Sequence, residues 1–397
     1  MTEAKAEEIN RVPTSRKLGE KWGTPQRGEE SPNARVLTAR IRKQLVSEDQ
    51  KFELDVALQA NPGFTIVFGA SGAGKTTLLD CVAGLSTPDQ GRIAIGERIL
   101  LDTCTSTDVS VSRRKVGYVL QDLALFPHLT IRQNVEYGLA HMARGKRRER
   151  AGKILAEFHI EDLAERKPKD VSGGERQRAA LARTLVTDPE VLLLDEPLAA
   201  LDAPTKAKIL DDLRAWNRVH QIPILYVTHS REEVFALGEH AIVLDRGRLI
   251  AEGTPHEVLE APRQETVAQL AGFENIFDAV VDSLHVERGT MTCRIGSHAV
   301  VLETPLVRAE VGSRLRVGIR AGDILLAVSA PVRLSARNII PGRVVSLEQR
   351  DVIVAARVDC GVEMEVHLTL AARDDLMVDA GRQVWLVIKT HSCHLMK

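Results

Sequence analysis

Several things are scarce in this sequence, and each scarcity excludes something. Five cysteines (Cys81, Cys104, Cys293, Cys360 and Cys393) are odd in number and form no C-x-x-C pair. That argues against a disulfide framework or a structural zinc site and for reduced thiols in a cytosolic protein. The adjacent Cys393 and His394 are two neighbouring ligand types, which do not make a metal site. Net charge is nearly absent, at −1 over 397 residues. Long-range electrostatics therefore gives no case for a nucleic-acid partner. No apolar run approaches the length of a bilayer span, and no signal peptide opens the chain. A role at a membrane would need other subunits to supply the spans.

What is present is ordinary globular composition, 44% hydrophobic and 27% charged, in a chain long enough for two or three domains. Residues 1–34 mix charges with scattered Pro and Gly and read as a disordered tail or an over-long start. Short alternating segments at Val36–Ile41 and Phe52–Val56, and a hairpin at Arg92–Leu101 turning at Gly96-Glu97, predict an antiparallel β flank. Residues 122–175 read as helical and strongly charged, and the basic run Arg144–Arg150 as a solvated helix face. Apolar runs at Val191–Leu194, Ile224–Val227 and Ala241–Leu244 alternate with helical stretches, which implies a mostly parallel α/β core. A helical linker spans 256–275. Residues 276–397 switch to short β runs, in which Val311–Arg320 and Ala380–Lys389 resemble each other. The pair predicts two related β units forming one barrel-like accessory domain.

The chemistry centres on Gly69-Ala70-Ser71-Gly72-Ala73-Gly74-Lys75-Thr76, followed by Thr77. This fits G-x-x-x-x-G-K-[ST] between an apolar strand, Phe64–Phe68, and a helix ending at Gly84. Backbone N–H groups in such a loop turn inward around a polyphosphate, and the helix start adds positive potential. Lys75 would reach the β- and γ-phosphates, and the Thr76 hydroxyl would ligate Mg²⁺. Asp195, ending an apolar strand, would hold the same ion. Glu196 beside it could polarise an attacking water. Thr228 and His229 would lie with them at the carboxyl ends of the strands. A second cradle, Ser172-Gly173-Gly174-Glu175, opens the helix-like run Arg176–Arg183. One nucleotide does not need two cradles in one subunit, so a second copy would supply Ser172 to the first copy's γ-phosphate.

Taken together, Gly69–Thr76, Gln121, Ser172–Gln177, Val191–Glu196, Ala200-Leu201-Asp202 and His229 resemble the ATP-binding subunits of ABC transporters over about residues 35–255. The resemblance implies an α/β phosphate-loop ATPase domain with a mostly parallel sheet, an antiparallel β subdomain and a helical subdomain. It implies ATP and Mg²⁺ as cofactors, with Thr76, Gln121 and Asp195 at the metal. By the same resemblance Gln121 couples to the membrane subunits, Asp202 communicates across a homodimer, and His229 contacts the γ-phosphate. Two ATPs would be sandwiched head to tail. The segment Asp122–Leu129 would help form the docking groove for a coupling helix, with a core role as the alternative. Three positions depart from the family pattern: Glu175 for glutamine, Ala199 for serine, and no tyrosine upstream to stack on adenine. Phe52 is the candidate for that last role, with a core strand position as its alternative.

The β region at 276–397 resembles the small OB-like regulatory domain of importer ATPases, and Leu334–Val344 is similar to the opening of the oxyanion-binding module of molybdate importers. That resemblance implies a site for molybdate or tungstate at Ser335, Ala336, Arg337 and Lys389. On chemistry alone the favoured reading is a polar turn between two strands with Arg337 in solvent, and it is the family resemblance that reverses this. The segment Thr390–His394 departs from the small residues expected after the lysine. The implied assembly is an import ATPase at the cytoplasmic face of the cell (inner) membrane. It would be peripheral, paired with two transmembrane permease subunits and served by a periplasmic or extracellular solute-binding protein. Another solute (sulfate, iron(III), a polyamine or a sugar) or a non-transport ABC ATPase are the alternatives.

Overall fold

The computed structural model describes residues 35–46, 51–260, 262, 264–296 and 300–396. The tail at 1–34 lies outside them. Five parallel strands form the heart of the molecule, lying side by side in the order Val116–Val119, Val191–Asp195, Pro223–Thr228, Gly63–Phe68 and His240–Asp245. The strands Val191–Asp195 and Pro223–Thr228 are buried at every position, which is why they read as unbroken apolar runs rather than alternating ones. Arg248–Gly253 turns back antiparallel on His240–Asp245 and makes a parallel bridge, Arg248 to Asp55, to Lys51–Ala60. From there the strands Leu37–Val46, Gln90–Ile95, Arg98–Asp102 and Thr107–Asp108 continue antiparallel. The expected parallel core and antiparallel flank are thus one continuous eleven-stranded sheet.

Apolar clusters cover both faces of this sheet. One holds the phosphate-loop helix, Lys75–Ala83, against Ile41, Leu54, Val67, Leu193 and Val227. The other packs the helices Ile131–Tyr137, Arg144–Glu157, Gly173–Leu185 and Ala203–His220 beneath Ile66, Leu194 and Tyr226. The helical region therefore reaches past residue 175 to Leu185, because the helix opened by Ser172 belongs to that layer and buries Ala179–Ala182 in it. The basic run at 144–150 forms the solvent side of its helix. Glu149 pairs with Lys153 one turn on, and Arg150 with Asp188.

The phosphate-loop helix ends at Gly84, in the left-handed conformation at φ 84°. Its last carbonyls are capped by a side chain. Arg114, 1% exposed, donates Nη1 to the carbonyls of Cys81 and Val82 at 3.0 and 2.9 Å, Nε to Val109 O at 2.8 Å, and Nη2 to Asp108 at 2.8 Å. A cation at a helix C-terminus also meets the negative end of the helix dipole. A Cβ on Gly84 would come within 2.6 Å of the guanidinium, so glycine is needed there for space as well as for φ.

Residues 275–396 make two five-stranded antiparallel sheets that share one apolar cluster. The sheets repeat each other. Asn275–His285, Thr290–Ile295, Val300–Pro305 and Arg314–Ile319 form the first, while Asn338–Arg350, Ile353–Asp359, Glu363–Thr369 and Gln383–Ile388 form the second in the same spatial order. Both leading strands carry a bulge at matching places, after Val281 and after Val344. Both begin with a buried asparagine that clamps the other sheet. Asn275 exchanges two hydrogen bonds with the backbone of Glu365 (2.8 and 2.7 Å), and Asn338 does the same with Glu303 (2.9 and 2.6 Å). The fifth strand is exchanged: Leu325–Ala327 pairs with Gln383–Ile388, and His394–Met396 with Arg314–Ile319. The two segments recognised as similar, 311–320 and 380–389, are the strands that lead into these exchanges.

The helical stretch before the β region is a π-helical turn, His256–Glu260, followed by a short α-helix, Glu265–Leu270. Among the described residues no helix is long and apolar enough to cross a membrane. Replacing Arg114 by Met removes the donor from three carbonyls and leaves the half-exposed Asp108 to solvent. The substitution should lower stability in urea unfolding by about 3 kcal/mol, from the carbonyls left unpaired. Arg114→Lys should recover only part of that loss, because one ammonium cannot reproduce the planar fork.

Candidate nucleotide site

Strand register brings the predicted residues together. Phe68 lies opposite Thr228, and Asp195 opposite Val227. Gly69, Glu196 and His229 therefore leave neighbouring strands at the same level. Val119 pairs with Leu194, which brings Gln121 out at that level too, exposed at the next strand's end. The site occupies the carboxyl edge of the parallel sheet, where loops can converge on a ligand without breaking ladder hydrogen bonds.

Within the loop, Gly74 caps the helix at φ 99°, a conformation that suits glycine. The Lys75 ammonium donates to the carbonyls of Gly69 and Ala70, both at 2.9 Å, so the loop is wrapped around its own lysine. Burial pushes the Lys75 pKa down, against the pull of Glu196 and Asp195, which raise it. Thr76 donates its hydroxyl to Asp195 at 2.8 Å. Burial raises the Asp195 carboxyl, and the Thr76 bond partly offsets this. These are hard oxygen donors, a hydroxyl beside a carboxylate, and they suit a small divalent ion that keeps phosphate and water as its remaining ligands. His229 Nδ1 lies 3.3 Å from Glu196 Oε1. Glu196 itself sits at φ 44°, a left-handed conformation that costs energy in a residue with a Cβ and is typical of functional positions.

Two residues near Asp195 were not singled out from the sequence. Tyr118 donates its hydroxyl to Asp80 at 3.2 Å, and it also interacts with Asp195. Burial raises the Asp80 carboxyl. The available signal was position: Asp80 lies on the inner side of the phosphate-loop helix, and Tyr118 is the only polar residue in its strand. Phe52, the candidate adenine stacker, packs on the loop. A Cβ on Gly74 would come within 2.8 Å of its ring. The ring thus stands beside the phosphate loop and packs against the apolar cluster.

The second cradle is a complete capping box. Ser172 Oγ accepts from the Glu175 N–H at 3.4 Å, and the Glu175 carboxylate accepts from the Ser172 N–H at 2.7 Å. That bond holds the Glu175 pKa low. Glutamate thus does at position 175 what glutamine does in the usual pattern, with a charge that favours a helix N-terminus. Asp202 likewise caps Ala203–His220 by accepting from Thr205 N–H at 3.3 Å. After Gln121 the backbone passes through two left-handed residues, Leu123 and Ala124. Their carbonyls are held by Arg183 of the Ser172 helix, and Asn134 clamps Phe126, Leu129 and Thr130.

In the second β unit, Asn338 pairs with Ile388, so Arg337 and Lys389 leave adjacent strands side by side, both exposed. Ser335 is exposed and Ala336 buried just before them. Arg337 Nε lies 3.8 Å from Glu303, a loose contact. Cys393 is buried against Asn338, and His394 meets the edge of the Phe273 ring.

The model of the ABC transporter family matches residues 54–199, and that of the TOBE domain residues 334–395. The chain is 38% identical over 341 residues to the molybdenum import ATP-binding protein ModC of Rhizobium meliloti, covering 85% of this chain and 95% of that one. The corresponding protein of Paramagnetospirillum magneticum is 36% identical, with 85% and 93% covered. A molybdate/tungstate import ATP-binding protein, WtpC of Pyrococcus abyssi, is 36% identical over 356 residues, with 88% and 98% covered. The phosphate loop, the strand-end carboxylates, the capped Ser172 cradle and near-full-length relatives all agree: the chain belongs to the ATP-binding subunits of ABC transporters.

Proposed function

We propose that this protein is the ATP-hydrolysing subunit that powers import of molybdate or tungstate through a membrane transporter. The observation that carries the catalytic part is the meeting of Glu196 with His229, beside the Thr76–Asp195 pair, at one edge of the sheet. The oxyanion is supported by the named activity of the relatives and by their match through the β region.

ATP would lie with its phosphates in the loop Gly69–Thr77, where backbone N–H groups and Lys75 replace their hydration. Thr76, Asp195 and Gln121 would hold Mg²⁺, which neutralises charge on the β- and γ-phosphates. Glu196 would take the proton of the attacking water, while His229 would orient that carboxylate and contact the γ-phosphate. No covalent intermediate is required, since phosphoryl transfer of this kind relies on positioning and charge stabilisation. Ser172, Gly173, Gly174 and Glu175 would close over the ATP of a second copy, with Asp202 between the two sites. The homodimer would sit peripherally at the cytoplasmic face, and two permease subunits would dock on the segment after Gln121. A solute-binding protein outside the membrane would deliver the cargo. Residues 276–397 would act as a regulatory domain in which Ser335, Ala336, Arg337 and Lys389 bind the oxyanion through charge-assisted hydrogen bonds.

Glu196→Gln keeps size and backbone but removes the base. It should leave ATP affinity within about twofold and lower kcat by about 10²–10³-fold, measured as phosphate release by the purified protein. Turnover at the wild-type rate would remove Glu196 from the role of base. For the transporter reassembled in lipid vesicles, molybdate or tungstate on the ATPase side should inhibit hydrolysis, and Arg337→Ala should abolish the inhibition. Sulfate and iron(III) serve as controls, and a response to sulfate alone would replace the assigned cargo.

A further inference from the structure

The helix that follows His229, Arg231–Leu237, carries in its first turn a carboxylate that the hydrolysis geometry does not use. Glu233 is 4% exposed. Its Oε2 accepts from the Tyr226 hydroxyl at 2.9 Å and from the Thr228 hydroxyl at 2.8 Å, and its Oε1 lies 3.2 Å from the Lys206 ammonium. A buried anion with three donors is fixed in place, because moving away from any one leaves a desolvated polar group unpaired.

The donors come from two different parts of the site. Tyr226 and Thr228 stand on the strand whose end carries His229. Thr228 Oγ1 also accepts from Ser230 N–H at 3.0 Å, so the residues on either side of His229 are tied to one another and to Glu233. Lys206 stands instead in the first turn of the helix that Asp202 caps. Its neighbour Thr205 fills the space above Gly174, where a Cβ would come within 2.5 Å of the threonine methyl, and Leu201 lies over Gly173 in the same way at 3.3 Å. A continuous packed path therefore runs from His229 through Thr228, Glu233 and Lys206 to the start of the Ser172 helix.

We propose that Glu233 and Lys206 form a positioning pair that carries the state of His229 to Asp202 and the Ser172 cradle of the same subunit. The inference rests on the head-to-tail sandwich of two ATPs proposed above, in which His229 serves one nucleotide and Ser172 the other. When His229 engages a γ-phosphate, the strand end and the buried Glu233 carboxylate move together, and the partly exposed Lys206 follows through its ion pair. The start of its helix and the glycines beneath it shift in turn, so occupancy of one site alters closure over the second.

The test is ATP hydrolysis by the full-length protein, as the dimer or in the assembled transporter, over a range of ATP concentrations. Wild type should show a Hill coefficient above about 1.5, since cooperativity is bounded by the number of sites. Glu233→Gln and Lys206→Met should each bring it to about 1, and the double variant should lose no more than either single one. Affinity for a fluorescent ATP analogue should stay within about twofold, and Lys206→Arg should retain cooperativity. Tyr226→Phe removes one donor and no charge. It provides the measurement should the charge variants fail to fold, with a partial loss of cooperativity expected. Undiminished cooperativity in folded variants would overturn the proposal. So would a loss of nucleotide affinity with the Hill coefficient intact, which is what a merely structural role would give. A wild type that hydrolyses ATP with a Hill coefficient of 1 would instead overturn the sandwich on which the proposal stands.

Discussion

One ammonium and two carboxylates share a small, partly buried space at the ends of the parallel strands, and much of the architecture serves to hold them there. Burial lowers the Lys75 pKa, and Glu196 and Asp195 oppose that shift. The carboxylates cannot approach one another freely, because Thr76 ties one down and His229 stands beside the other. A bare polyphosphate entering this space would meet two negative groups for one positive. A divalent cation reverses that balance, which is the electrostatic reason nucleotide and metal would bind as a unit. The strand register is what sets these charges at one level, and the two apolar clusters fix the register.

Much of the site was legible in the sequence, because its parts are local. A phosphate loop needs its glycines, lysine and hydroxyl within one turn of chain, and the capping box of Ser172 and Glu175 lies within four residues. The strands were legible because burial on both faces leaves nothing but apolar residues at 191–194 and 224–227. Contacts made across the chain were not legible. Arg114 caps a helix that ends thirty residues earlier, Tyr118 meets Asp80, and Glu233 joins a strand to a distant helix. Each looks like an ordinary polar residue in a half-apolar stretch until the packing is known. The boundary of the helical layer was missed for a related reason. The cradle at 172 has the look of a loop motif, but the helix it opens is part of that layer's core.

In the β region the repeat was recognised from its fourth strands, 311–320 and 380–389. The plainer correspondence is between the leading strands, Asn275-Ile276 through Ser283-Leu284 and Asn338-Ile339 through Ser346-Leu347. It was obscured because Asp278-Ala279-Val280 faces Pro341-Gly342-Arg343 in the alignment, and composition there differs completely. What the two strands share is the clamp asparagine and the bulge, and backbone geometry conserves these without conserving the intervening side chains. The corners differ in a telling way. Where the second unit presents Arg337 and Lys389 to solvent, the first places Glu274 on the Ala321 N–H and lays Arg320 over Phe273, with Nη2 on the carbonyl of Leu259. A carboxylate there already accepts the backbone donor.

The exchange of fifth strands has a consequence for how the protein is made. The sheet begun at Asn275 is finished only by His394–Met396, about 120 residues later, and long sequence separation slows pairing. Met396 also joins the apolar cluster beneath the nucleotide-binding sheet, together with Phe273. As the chain leaves the ribosome, the ATPase layers can assemble early, but the place that Met396 fills at the margin of their cluster, and the edge of the first β sheet, stay open until the same three residues emerge. During that interval an incomplete sheet edge is exposed. The last strand then completes the first β sheet and adds Met396 to the ATPase cluster together.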